Sequence, residues 1–182
     1  SGALRSESGS GPLVTGETVR LQTSPDGVTW TDVVDLVTDE EGVVTHEVVP
    51  LVTTYYRFVY EGKTDVYEPQ ISEPVKVIPG VYLSRPSAGR AARGGKAFTS
   101  TGTLKPRHAA GSKQIVVKAE RLQRGKWVVK RGFRAKTSNF KAFSKYTAKV
   151  KLTRGIWRIR AYHANDSLNS STYSAYRYIH VR

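Results

Sequence analysis

At residues 23–30 the chain reads TSPDGVTW. Pro-Asp-Gly is turn chemistry, because Pro fixes φ and Gly accepts the positive φ that a chain reversal demands. Before it, Thr18-Val19-Arg20-Leu21-Gln22 alternates polar and apolar residues, and Trp30 opens a second run rich in Val and Thr. Period-two alternation on both sides of a turn marks a β-hairpin, whose successive side chains point to opposite faces. The same alternation returns at 54–60 (TYYRFVY), 146–152 (YTAKVKL) and 157–162 (WRIRAY), with turn signals at Glu61-Gly62, Arg124-Gly125, Arg154-Gly155 and Asn165-Asp166 between such runs. Nowhere does an apolar stripe at i, i+3, i+4, i+7 persist over ten residues, so the expected class is all-β.

The stretch also nearly spells S-x-D-x-G-x-T-W, the turn repeated in the blades of some propellers. It is one residue too short for that pattern and occurs once. The chain does repeat, but at longer range. VRLQTSPDGVTWTDV aligns with VVKAERLQRGKWVVK, TTYYRFVYEG with GIWRIRAYHAND, ISEPVKVIP with YSAYRYIHV, and SGAL at 1–4 with STGTL at 100–104. A period near 100 residues suits a two-sheet module and exceeds the roughly 40–50 of a propeller blade. Two tandem β-sandwich domains are therefore expected, residues 1–79 and 80–182, joined near Ile78-Pro79-Gly80. Trp30 and Trp127, at matching places in the hairpins, are expected to pack between the sheets.

The hairpin DGVTW, the turn TDEEG, Pro50 before TTYYRFVYEG and the closing ISEPVKV, with GTLKPRHAAG, GKWV, KLTRGIWRIRAY and YSAYRYIHV, together resemble tandem immunoglobulin-like domains of actinobacterial secreted and cell-surface proteins. The resemblance implies stalks, spacers or wall-associated modules. The second copy carries a leading segment, VYLSRPSAGRAARGGKAFTSTG, that would supply its first strand and most of the next. The first copy has no counterpart, which leaves three expectations: a piece of a longer repeat array, a shorter sandwich, or a strand supplied by another molecule.

Charge is divided unevenly. The net +14 is the sum of −8 over residues 1–79 and +22 over residues 80–182, whose only acidic residues are Glu120 and Asp166. Such asymmetry speaks of partners rather than fold. With no Cys, disulfides and thiolate chemistry are excluded. No apolar run of about 18 residues is present, so no membrane insertion by a helix is expected, and SGALRSESGSGP lacks the basic-then-apolar pattern of a signal peptide.

No catalytic residues are assigned: there is no G-x-S-x-G, and the basic half has few groups for acid–base work. His46, His108, His163 and His180 are scattered without ligand spacing, so neither metal nor cofactor is expected. Asp39-Glu40-Glu41 is read as a solvated turn rather than a Ca²⁺ site. The sharper hypothesis concerns one sheet face. With Trp157, Ile159 and Ala161 inward, alternation turns Arg158, Arg160 and Tyr162 outward; with Ile179 and Val181 inward it exposes Tyr176, Tyr178 and His180, and Lys118 joins them. Guanidinium forks and flat rings on one face suit a polyanion: an anionic cell-wall polymer, an acidic glycan or nucleic acid. A solvated face is the plainer alternative. Self-association of acidic with basic domains, head to tail or by strand complementation, is a further expectation. The function expected is thus a non-enzymatic module of an extracellular bacterial surface protein, with polyanion binding and filament assembly as alternatives.

Overall fold

The computed structural model describes residues 1–6, 11–88, 94–112 and 114–182; part of the leading segment of the second copy, residues 89–93, lies outside them. The described chain is all-β and divides into two compact units, Ser1–Ile78 and Pro79–Arg182.

In the first unit, β1 (Gly2–Ala3) pairs with β4 (Val43–Val44) as a short ribbon. The main sheet is antiparallel, in the order β3 (Thr31–Val37), β2 (Thr18–Ser24), β5 (Thr54–Tyr60), β6 (Gln70–Ile71), with β7 (Val75–Val77) also paired to β5. In the second unit, β11 (Lys126–Arg134), β10 (Ile115–Gln123), β14 (Gly155–His163) and β15 (Thr172–Tyr173) follow the same order, and β16 (Arg177–Val181) pairs with β14 as β7 does with β5. The repeat read from sequence is thus a repeat of sheet topology. Even the register shift recurs, at Leu21/Gln22 and at Ala119/Glu120. A second antiparallel sheet, β12 (Lys136–Phe140), β13 (Phe143–Lys151), β9 (Ala97–Lys105) and β8 (Tyr82–Leu83), completes the second unit.

One core lies between these two sheets, as in a β-sandwich. Leu104, Tyr146, Ala148 and Val150 from one sheet share it with Ile115, Val117, Trp157, Ile159, Ala161, Ile179 and Val181 from the other. Strict alternation along β13 and β14 produces this, since each buries every second side chain. Gly102 is required here: a Cβ would meet the ring of buried Tyr146 at 2.2 Å, and that ring is held by Tyr146 Oη donating to the carbonyl of Ser84 at 2.8 Å. Burial raises the Tyr146 phenol far above its ordinary value. The first unit is built on the same plan with less in it: its core cluster is Val19, Val44 and Tyr60. Gly2 pairs with Val44 as Gly102 pairs with Tyr146, yet the ladder stops there, whereas β13 continues pairing with β9 through Lys151. A cleft of about 810 Å³ opens in the first unit, lined by Leu4, Val19, Leu21, Phe58, Ile71 and Val75 among others.

TSPDGVTW is a hairpin turn between β2 and β3. Asp26 Oδ1 accepts from the backbone N–H of Val28 and Thr29 (2.9 and 2.8 Å) and from Ser24 Oγ (2.8 Å), while Gly27 takes φ 80°. These bonds hold the Asp26 carboxyl down to about 2, the backbone donors contributing most. Asp39 Oδ1 likewise accepts from the backbone N–H of Glu41 (3.1 Å) and Val43 (2.7 Å) in its own turn. The expectation for the tryptophans fails. Trp30 and Trp127 are half-buried on the outer face, beneath Arg57 and Arg158 at 4.0 and 4.6 Å from the ring centroids. Only Trp157 lies in the core, with Nε1 donating to the carbonyl of Thr153 at 2.8 Å.

Candidate functional site

The outer face of β10, β14 and β16 is where the sequence placed its candidate residues. The register puts Lys118 opposite Arg160, Glu120 opposite Arg158, and Arg158 opposite Tyr178, all on one surface. Lys118, Arg158, Arg160, Tyr162, Tyr176 and Tyr178 do come together. His180, opposite Ile156 at the far end of the β14–β16 pairing, is exposed and contributes to none of the ring contacts described below. Tyr173, Trp127 and Glu120 belong to the group and were not read from the sequence. Tyr173 sits on a two-residue strand too short to show alternation, and Trp127 was expected in the core; Glu120 keeps the period of Lys118 along β10, so its facing follows from alternation.

The side chains interleave as a ladder. Lys118 Nζ lies 3.9 Å from the centroid of Tyr162 and 4.9 Å from that of Tyr173, to whose Oη it donates at 2.8 Å. Arg160 lies between Tyr173 (3.9 Å) and Tyr176 (4.6 Å), and Arg158 between Tyr176 (4.0 Å) and Trp127 (4.6 Å). Tyr178 closes the row edge-on to Trp127 at 5.7 Å. Each cation therefore meets the negative faces of two rings, an attraction worth about 0.5–2 kcal/mol per contact depending on desolvation.

Glu120 anchors the centre. It is 4 % exposed, accepts from Arg158 Nε at 2.8 Å and from Tyr176 Oη at 2.9 Å, and lies 3.8 Å from Arg160 Nη2. Burial alone would raise its carboxyl, but the bonds from Arg158 and Tyr176 and the two guanidinium charges outweigh that and hold it below its ordinary value. The first unit carries the same seed at the matching positions: Arg57 covers Trp30 and donates to Gln22 Oε1 at 2.8 Å, as Arg158 covers Trp127 and donates to Glu120. Beyond that seed the first unit continues in ion pairs, Arg20 with Asp35, Asp32 and Glu61.

A second polar group lies at one end of the second unit. His108 precedes β10, His163 ends β14, and Asp166 follows it; Asp166 Oδ2 is 3.2 Å from His108 Nε2 and 3.3 Å from His163 Nε2. Both imidazoles are buried. Burial holds His163 below its ordinary value, against the opposing pull of Asp166. The expectation of scattered, unrelated histidines is corrected here, because the fold brings together what linear spacing separates.

No protein-family model matches the chain, and no curated protein matches it. Functional conclusions therefore rest on the arrangement of its own side chains.

Proposed function

We propose that the chain is a non-enzymatic structural module of an extracellular bacterial surface protein, a pair of immunoglobulin-like β units acting as a spacer. The observation that carries this is the recurrence of the Trp–Arg–Gln/Glu stack in two units of opposite charge. A ligand-binding face would differ between an acidic and a basic module; a brace for the sheet would not. Within the ladder the rings are already covered by cations, and the guanidinium of Arg158 already meets a carboxylate, so the groups that would grip a polyanion are engaged with one another.

A second reading, polyanion binding by the basic unit, is favoured by a separate observation. Both of that unit's acidic residues are engaged internally, Glu120 with Arg158 and Asp166 beside two histidines, so neither offsets the surface lysines and arginines. The cations left outward include Lys130 and Arg134 on the edge strand β11, and Lys145 and Lys149 on the opposite sheet.

Retention on immobilised heparin and on anionic wall polymer, measured against salt, separates the two. For a spacer, Lys130→Gln with Arg134→Gln and Lys145→Gln with Lys149→Gln lower the eluting salt equally, since only net charge acts. A several-fold larger loss for one pair would sink the spacer reading and favour a binding face on that sheet.

A further inference from the structure

We propose that His108, His163 and Asp166 bind a divalent transition-metal ion of the zinc type, clamping the loops at one end of the second unit. The three ligand atoms lie within 4.8 Å of one another. The side chains of His108 and His163 are 3 % and 0 % exposed, and that of Asp166 is 11 % exposed. The Nε2 atoms of both histidines have no hydrogen-bond partner, although Asp166 Oδ2 stands only 3.2 and 3.3 Å away. The separations are those of contact, but the alignment is not that of a hydrogen bond. Atoms at the corners of a coordination tetrahedron behave in this way, because their lone pairs converge on a shared centre instead of on each other. With ligand bonds of about 2.0–2.1 Å, the edge of such a tetrahedron is roughly 3.3–3.4 Å, close to the two edges that run from Asp166 to the histidines.

The surroundings orient Asp166 and His108. Asp166 Oδ1 accepts from the backbone N–H of Leu168 and Asn169 at 2.9 and 2.8 Å, which leaves Oδ2 to face the imidazoles. His108 Nδ1 lies 2.9 Å from the carbonyl of Pro106. A proton on Nδ1 satisfies that carbonyl and puts the lone pair on Nε2, the tautomer a metal requires, and a backbone carbonyl on the outer nitrogen is the usual support of a ligating histidine. Without an ion, that same tautomer would set a lone pair against a carboxylate oxygen in a buried site, an unfavourable arrangement. Two imidazoles and one carboxylate suit zinc, nickel or copper better than the oxygen-seeking calcium or magnesium. The site would tie the β9–β10 loop to the β14–β15 loop.

The test uses the complete, tag-free chain stripped with a chelator. Titration with Co²⁺ should give the intense visible bands of low-coordinate cobalt, saturating at one equivalent per chain, and Zn²⁺ should bleach them and raise the thermal midpoint of the second unit. His163→Gln and Asp166→Asn should weaken binding by more than the roughly 10–100-fold that loss of an outer support causes, while His46→Gln with His180→Gln should leave it unchanged. Absence of both cobalt bands and a zinc-dependent midpoint shift in the unaltered chain would overturn the proposal, whether or not the variants fold. So would binding that survives His163→Gln and disappears in the surface double variant.

Discussion

Glu120 is the residue on which the outer face of the second unit turns. Its carboxylate lies beneath Arg158 and Tyr176 and near Arg160, so removing its charge leaves two guanidinium groups close together with no counter-ion. Glu120→Gln should lower the unfolding free energy at neutral pH by roughly 2–3 kcal/mol, measured by denaturant titration. Because its folded-state value lies below the ordinary 4.5, its contribution is present above that pH and is lost as pH falls through the lower folded value. The unaltered protein should therefore lose stability on acidification below about pH 5, and Glu120→Gln should flatten that slope. Gly102 offers an independent check on the core. The methyl of Gly102→Ala would overlap the ring of Tyr146, fully buried and tethered to Ser84, so a loss of about 1–3 kcal/mol is expected from overpacking. A variant as stable as the parent would show that the ring can move aside.

At the scale of single strands, alternation was legible wherever the register was unbroken. The inward Trp157, Ile159 and Ala161, and the outward Arg158, Arg160 and Tyr162, fall where period two puts them. Hydrophobicity misled at the hairpins. Trp127 follows the two-residue turn Arg124-Gly125, both at positive φ, and pairs with Leu122. Unbroken alternation along β10 turns Leu122 to the face of Lys118 and Glu120, and the hairpin carries Trp127 to that face with it, so hydrophobicity alone sent the indole to the wrong side. The reward for a ring on the outer face is a stacked guanidinium, and Arg158 comes from a strand distant in sequence. The His108–His163–Asp166 group eluded spacing because His108 and Asp166 sit on loops and His163 at the end of β14, and they meet only once β10 and β14 are paired.

For the molecule as a whole, the inequality of the two cores has a measurable outcome. Among the described residues, sixteen buried apolar residues form one cluster in the second unit, while the cluster of the first has three, beside an open cleft of about 810 Å³. At roughly 25 cal/mol per Å² of apolar burial, the second unit gains far more on folding. Thermal unfolding of the complete chain should show two transitions with the first unit melting earlier. Trp30 is the one tryptophan in that unit, so Trp30→Phe should remove most of the fluorescence change of the lower transition and little of the upper. A single transition, or an earlier loss of the signal from Trp127 and Trp157, would contradict this ordering.

The amino-acid sequence by itself determined the all-β class, the internal repeat, the facing of residues within regular strands and the division of charge. Each of these is a property of neighbours along the chain or of a sum over it. Tertiary structure alone decided which side of the sheet the hairpin tryptophans take, that Glu120 sits among the arginines, and that two histidines share one carboxylate. Those outcomes depend on hairpin register and on meetings between distant strands, where the free energy of burying a charge or a ring is set by partners that local pattern does not specify.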